Sequence, residues 1–177
     1  MSADAQVKRI TLVLGGARSG KSHYAEKLIT GAPPPWIYVA TAHAGDAEMA
    51  QRIASHRRRR AADWRTYEAP HDLAPTFAAS PNNAPLLVDC LTLWLSNRML
   101  AGADIERETN ALEAALAARE SSIVLVSNEV GWSIVPENAL ARRFRDAQGR
   151  LNQRLAAVAH CVVLMVAGVP LTIKDSP

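Results

Sequence analysis

Cysteine is scarce in this chain: among 177 residues only Cys90 and Cys161 occur. Each is embedded in an apolar segment, and neither has metal-ligand spacing. That excludes a disulfide framework and a zinc module, and both read as buried free thiols in a reducing cytoplasm. Aromatic residues make up 5% of the chain, and none interleave with its basic cluster as a stacking surface for nucleic acid would require. No apolar run approaches the roughly 20 residues of a membrane span, and no secretory signal precedes the first apolar segment. Repeats and long low-complexity linkers are also lacking. Residues 1–177 therefore read as a single domain, with 1–8 a loose lead-in.

What is present begins with Gly15-Gly16-Ala17-Arg18-Ser19-Gly20-Lys21-Ser22. It satisfies the phosphate-binding pattern G-x-x-x-x-G-K-[ST] in full. Arg9–Leu14 before it read as a buried strand, and from Ser22 the spacing is helical, with Tyr24/Ala25 and Leu28/Ile29 on one face. Strand, loop and helix in that order are the context the motif needs. The glycines let successive N–H groups turn inward around an anion, and the helix starting near Lys21 adds its positive dipole end. Lys21 then reaches the β- and γ-phosphates, and the Ser22 hydroxyl ligates Mg²⁺. The formal net charge of +3 owes much to Arg57, Arg58, Arg59 and Arg60. A polyphosphate ligand accounts for so local a charge as well as nucleic acid does.

Further strands are expected at Trp36–Thr41, Asp63–Glu68, Leu86–Asp89, Ile123–Val126 and Cys161–Val166, the last clear one. Helices are expected at Asp46–Arg57 with Asp46 as N-cap, Leu73–Ala79, Leu91–Leu100 and Ile105–Arg119. The last is Asn138–Ala159, whose apolar positions include Leu140, Phe144, Leu151, Leu155 and Val158. Apolar strands alternating with helices predict an α/β domain of the phosphate-loop NTPase type, a mostly parallel sheet with helices on both faces. Ligands in such sheets gather at the carboxyl ends of the strands.

Two acids stand at such ends. Asp89 follows an apolar strand, where a carboxylate holds magnesium across from Ser22. Glu129 is a second candidate, and the sequence leaves open which holds metal and which positions a substrate hydroxyl. His56 precedes the arginine run. A neutral imidazole is a competent nucleophile near pH 7, and its attack on an α-phosphorus would expel pyrophosphate. Neighbouring guanidinium groups would stabilise the developing charge. A histidine beside arginines is more often a solvated helix end. His43, which follows a strand, is the alternative nucleophile.

The chain resembles the bifunctional adenosylcobinamide kinase/adenosylcobinamide-phosphate guanylyltransferases of cobalamin biosynthesis. The resemblance rests on GGARSGKS at 15–22, Tyr38–Thr41, Asp46–Met49 with Arg52, Ile53 and His56, and Trp64–Thr66 with Glu68. It continues through Leu87–Thr92, Val126–Gly131, Ile134–Asn138, Arg143–Asp146 and Gly149–Ala156. It implies phosphorylation of adenosylcobinamide by a nucleoside triphosphate (ATP or GTP). GMP then passes from GTP, through a guanylylated histidine that falls on His56, to adenosylcobinamide phosphate. The products are adenosylcobinamide-GDP and pyrophosphate. Nucleotide contacts are implied at the phosphate loop, at Val39, Ala40 and Thr41, at Arg57–Arg60, and at Glu68 and Asp89. A homotrimer is implied too. Some members carry a second histidine before the nucleophile, where this chain has Ser55, and some have glutamate in place of Asp89. Two competing readings remain: a small-molecule kinase without covalent chemistry, and a nucleotide switch or nucleic-acid-dependent ATPase.

Overall fold

The computed structural model describes residues 8–42 and 63–176. Seven strands form one sheet: β1 (Ile10–Gly15), β2 (Trp36–Ala40), β3 (Trp64–Glu68), β4 (Leu86–Asp89), β5 (Ile123–Val126), β6 (Cys161–Val166) and β7 (Val169–Asp175). Five helices are described: α1 (Lys21–Thr30), α2 (Leu73–Ala79), α3 (Leu91–Leu100), α4 (Ile105–Ala118) and α5 (Ala139–Val158). The sheet order is β3-β2-β4-β5-β1-β6-β7, parallel throughout except for β7. The expected helix Asp46–Arg57 lies outside the described residues.

The central strands β1, β4 and β5 are buried on both faces, which is why they read as near-continuous apolar runs rather than alternating ones. On one face Leu12, Val39, Val88 and Leu125 pack with Trp94, Leu95, Leu112, Leu116, Leu151 and Leu155 from α3, α4 and α5. On the other, Val13, Tyr38, Leu87 and Val126 meet Ala25 and Ile29 of α1. Trp64 lies tilted against Trp36 with ring centroids 5.5 Å apart, and edge-on to Tyr38 at 6.0 Å. Helix starts are satisfied locally: the Asp104 carboxylate accepts from the Glu106 and Arg107 amides, and Asn138 accepts from those of Leu140 and Ala141.

Several expectations change. A seventh strand follows β6 through a two-residue turn, Ala167-Gly168, with φ of 52° and 84°. Positive φ at both positions matches the twist of a tight hairpin. Pro170 is tolerated because β7 is an edge strand. Leu28, Leu140 and Val158 are exposed, so the buried stripes of α1 and α5 are narrower than their apolar spacing suggests. Cys161 is only half-buried, whereas Cys90 is buried.

Candidate active site

The phosphate loop runs from the end of β1 to the first turn of α1. Gly15 has φ of 150°, and a Cβ there would stand 2.6 Å from the Met165 carbonyl oxygen and 2.7 Å from Ser19 Oγ. The neighbouring strand leaves no room for a side chain at this point. Gly20, at φ 96°, caps α1, and its bend sends the chain into the helix. Gly16, Ala17 and Arg18 form the exposed crest, while Ser19 and Lys21 are buried and Ser22 is half-buried. Lys21 Nζ donates to the Gly16 carbonyl at 2.5 Å and lies 3.5 Å from Ser19 Oγ, so the ammonium is folded over its own loop. Behind the loop, the β6–β7 turn buttresses it: the Gly168 amide donates to the Ser19 carbonyl at 3.0 Å.

Strand register sets the rest of the site. Glu68 pairs with Ala40, Ala40 with Asp89, Asp89 with Val126, and Val126 with Val13. These residues form a row across the carboxyl edge of the sheet, ending two residues short of Gly15. The sequence-derived contacts on β2, β3 and β4 therefore share one edge with the phosphate loop. Val39 and Thr41 are wholly buried and Ala40 half-buried, while Glu68 is exposed. The Thr41 hydroxyl is already committed, donating to the Cys90 carbonyl at 2.6 Å and accepting from the Cys90 amide at 2.7 Å. Asn97 ties the Thr41 carbonyl to that of Pro70. Thr41 thus braces the β2–β4 edge. The Tyr38 hydroxyl donates to Asp89 Oδ2 at 2.9 Å, orienting this carboxylate. Burial beside Asp89 pushes the Cys90 thiol up to about 11, which leaves it protonated and inert at neutral pH. His56, Arg57, Arg58, Arg59, Arg60 and the alternative His43 lie outside the described residues. His160 serves the scaffold, its Nδ1 accepting from the Ile10 amide.

Between β1 and β4 the chain of β5 runs on beyond Val126. The Ser127 amide donates to the Val13 carbonyl at 3.0 Å and the Glu129 amide to the Gly15 carbonyl at 3.1 Å. Glu129 therefore stands beside the first residue of the phosphate loop. Four polar side chains that the sequence reading did not single out for roles hold this segment. The Asn128 amide donates to Thr92 Oγ1 at 2.8 Å, and Asn152 Nδ2 donates to the Asn128 carbonyl at 3.1 Å. Buried Ser127, Gln148 and Asn152 bond one another at 2.7–2.9 Å. A signal for two of them exists: Gln148 and Asn152 continue, at i+4 spacing, the inward stripe that starts at Phe144. Polar residues on such a stripe need partners in the core.

For magnesium, the donors present are suitable in kind. Asp89 keeps its second carboxylate oxygen for a cation while Tyr38 holds the first, and Ser22 offers a hydroxyl. No group of three or more acidic, histidine or cysteine ligands occurs among the described residues. Few protein ligands plus substrate phosphates is the usual mode for this ion.

A model of the family described as cobinamide kinase / cobinamide phosphate guanyltransferase matches residues 11–173. The chain is 46% identical over 169 residues to the bifunctional adenosylcobalamin biosynthesis protein CobP of Pseudomonas aeruginosa, covering 94% of this chain and 98% of the relative. It is 44% identical to CobU of Salmonella typhimurium, covering 92% and 98%. Similar solved structures include the flagellar accessory protein FlaH of Methanocaldococcus jannaschii, with TM-score 0.51, 11% identity and coverage of 96% and 80%. An ATPase of a bacterial type III secretion system gives TM-score 0.52 at 11% identity, covering 94% and 57%. At these identities the structures speak to the fold alone, an α/β domain.

Proposed function

Because the chain belongs to the cobinamide kinase / cobinamide phosphate guanyltransferase family, we propose that its one phosphate loop serves both of that family's reactions. The two activities are those of a bifunctional enzyme of cobalamin biosynthesis. The observation that supports the single-site reading is the row from Glu68 through Ala40 and Asp89 to Val13, which puts these three candidate residues on the sheet edge where the loop starts.

In the kinase step the adenosylcobinamide hydroxyl attacks the γ-phosphorus of ATP or GTP, and the nucleoside diphosphate leaves. In the second step His56 attacks the α-phosphorus of GTP, pyrophosphate leaves, and the guanylyl group passes to adenosylcobinamide phosphate. The leaving groups share the β-phosphate, so a loop that grips the β- and γ-phosphates stabilises charge in both. Lys21 Nζ exchanges the Gly16 carbonyl for phosphate oxygens, a stronger, charge-assisted pairing. The exposed amides of Gly16–Arg18 and the start of α1 supply the remaining donors. Ser22 and Asp89 would hold Mg²⁺, which supplies neutralisation of phosphate charge when bound. Arg57–Arg60 follow the nucleophile directly in sequence, and their guanidinium groups would stabilise the charge that develops on the phosphoryl group.

Further parts of the reading concern setting and assembly. Residues 1–177 act as one domain in the cytoplasm, with small-molecule substrates and no nucleic acid. No described helix is long and apolar enough to cross a membrane. A homotrimer is part of this reading, and exposed apolar residues are present for a subunit contact to cover: Val169, Leu171 and Ile173 of β7, and Trp132, Ile134 and Val135 after β5.

The test of the covalent step uses GTP labelled at the α-phosphate, incubated with protein and Mg²⁺ and then denatured. Label that survives alkali, is lost in acid and is absent in His56→Asn supports the reading. If no label is retained while γ-labelled nucleotide still phosphorylates adenosylcobinamide, the protein is a kinase without covalent chemistry.

A further inference from the structure

The two strand-end acids differ in what surrounds them. Asp89 closes β4, which β5 separates from β1, and one of its oxygens is held by the Tyr38 hydroxyl. Glu129 follows β5, the strand between β4 and β1, and its amide is bonded to Gly15 itself. The Glu129 carboxylate accepts from the Gly131 amide at 2.8 Å and has no cationic partner among the described residues. Both main-chain groups of the preceding residue, Asn128, are claimed by side chains from separate helices, Thr92 of α3 and Asn152 of α5. The buried Ser127–Gln148–Asn152 cluster stands behind them, with Gln148 Oε1 left without a partner. Burying three amide and hydroxyl side chains costs desolvation that their mutual bonds offset only in part, since Gln148 Oε1 has none. What they fix is the segment that carries Glu129 to the phosphate loop.

We propose that Glu129 is the proton acceptor of the kinase step, and that Thr92 and Asn152 position it by clamping the main chain of residue 128. This rests on the kinase/guanylyltransferase reading and deepens it. As the acceptor oxygen bonds to the γ-phosphorus, the bond from that phosphorus to the β–γ bridging oxygen breaks and the nucleoside diphosphate leaves. The hydroxyl proton passes to the Glu129 carboxylate and from there to water after release. Only this reaction has a nucleophile that carries a proton on the attacking oxygen. The imidazole nitrogen attacks through a free lone pair, and the phosphate of the second acceptor is already ionised. Proton acceptance and metal binding therefore leave different signatures. A metal ligand serves both reactions, whereas a proton acceptor serves one.

The test compares γ-phosphoryl transfer to adenosylcobinamide with protein guanylylation from α-labelled GTP in the same preparations. Glu129→Gln is expected to lower kcat for phosphorylation about 100-fold, with nucleotide KM and the guanylylation rate each within about threefold of wild type. Thr92→Val, which removes the hydroxyl at nearly constant volume, is expected to lower the same kcat about tenfold, with Thr92→Ser restoring it. A merely structural role for Thr92 would lower the thermal midpoint without that kcat-specific loss and rescue. Equal loss of both reactions in Glu129→Gln would make it a metal or folding residue and overturn the proposal. Unchanged phosphorylation would overturn it as well. Wild-type protein that fails to phosphorylate adenosylcobinamide would instead refute the underlying reading, and the proposal with it.

Discussion

Strand β5 has a buried polar hub at each end, and the two do different work. At its amino end Arg119 is 3% exposed. Its guanidinium donates to the carbonyls of Phe77, Pro81 and Ala84 and to the hydroxyls of Ser80 and Ser121. No carboxylate among the described residues pairs with it, and burial lowers its pKa from the ordinary value. Every acceptor belongs to the last turn of α2, to the turn between α2 and β4 or to the approach to β5, far along the sheet from the phosphate loop. At the carboxyl end, Thr92 and Asn152 likewise satisfy main-chain groups, with the Ser127 and Gln148 side chains bonded behind them, but the segment they hold carries Glu129 past Gly15. The same device, buried polar side chains bonded to backbone groups, braces a turn in one place and aims a side chain in the other. Burial and bonding alone do not distinguish the two. Position along the strand does, because only the carboxyl ends of a parallel sheet converge on the loop.

That comparison can be broken in several ways. The largest effect belongs to Lys21→Ala, which is expected to slow phosphorylation and guanylylation together by about a thousandfold with little change in stability. Loss of only one activity, measured with γ- and α-labelled GTP, would mean that two separate nucleotide sites exist. Next is Arg119→Met, which removes five hydrogen bonds from a buried cation to three carbonyls and two hydroxyls and is expected to cost about 3 kcal/mol. For a chain of this size that is a fall of roughly 6–12 °C in thermal midpoint, read by calorimetry, with kcat at 25 °C within about twofold of wild type. Gln148→Leu removes two bonds but also the orphaned Oε1, so stability should move by no more than about 1 kcal/mol while phosphorylation falls about threefold. A large stability loss there would make the carboxyl-end hub a brace like its counterpart. The smallest effect is chemical. With a pKa of about 11, Cys90 is about one-thousandth thiolate at pH 8. Alkylation should therefore label Cys161 first and reach Cys90 only on denaturation, as mass spectrometry of the peptides would show.

Much of this was legible before any coordinates. The glycine-lysine loop, the apolar strands and the acids that follow them are local signals, and the described ones fall where their spacing put them. Strand β7 lies beyond Cys161–Val166, the last strand expected from the sequence, and its Pro170 argues against a strand by local preference. The physical reason that a strand survives there is that edge strands need fewer donors. Leu28 and Leu140 misled because periodicity gives a helix face but not the width of its buried stripe. The carboxyl-end hub was harder to see. Gln148 and Asn152 look like ordinary polar helix residues until the sheet brings Ser127 and Asn128 against them, 21 to 25 residues away in sequence. Thr92 sits 36 residues from the amide it serves. Bonds of that span are products of the fold, and no local pattern announces them.

The most direct single measurement is the rate of adenosylcobinamide phosphorylation by Thr92→Val and Arg119→Met side by side, at saturating nucleotide and a temperature where both remain folded. The account predicts that Thr92→Val is slower by about tenfold and that Arg119→Met stays within about twofold of wild type. Equal rates in the two variants, or a slower Arg119→Met, would contradict the division of labour between the two ends of β5.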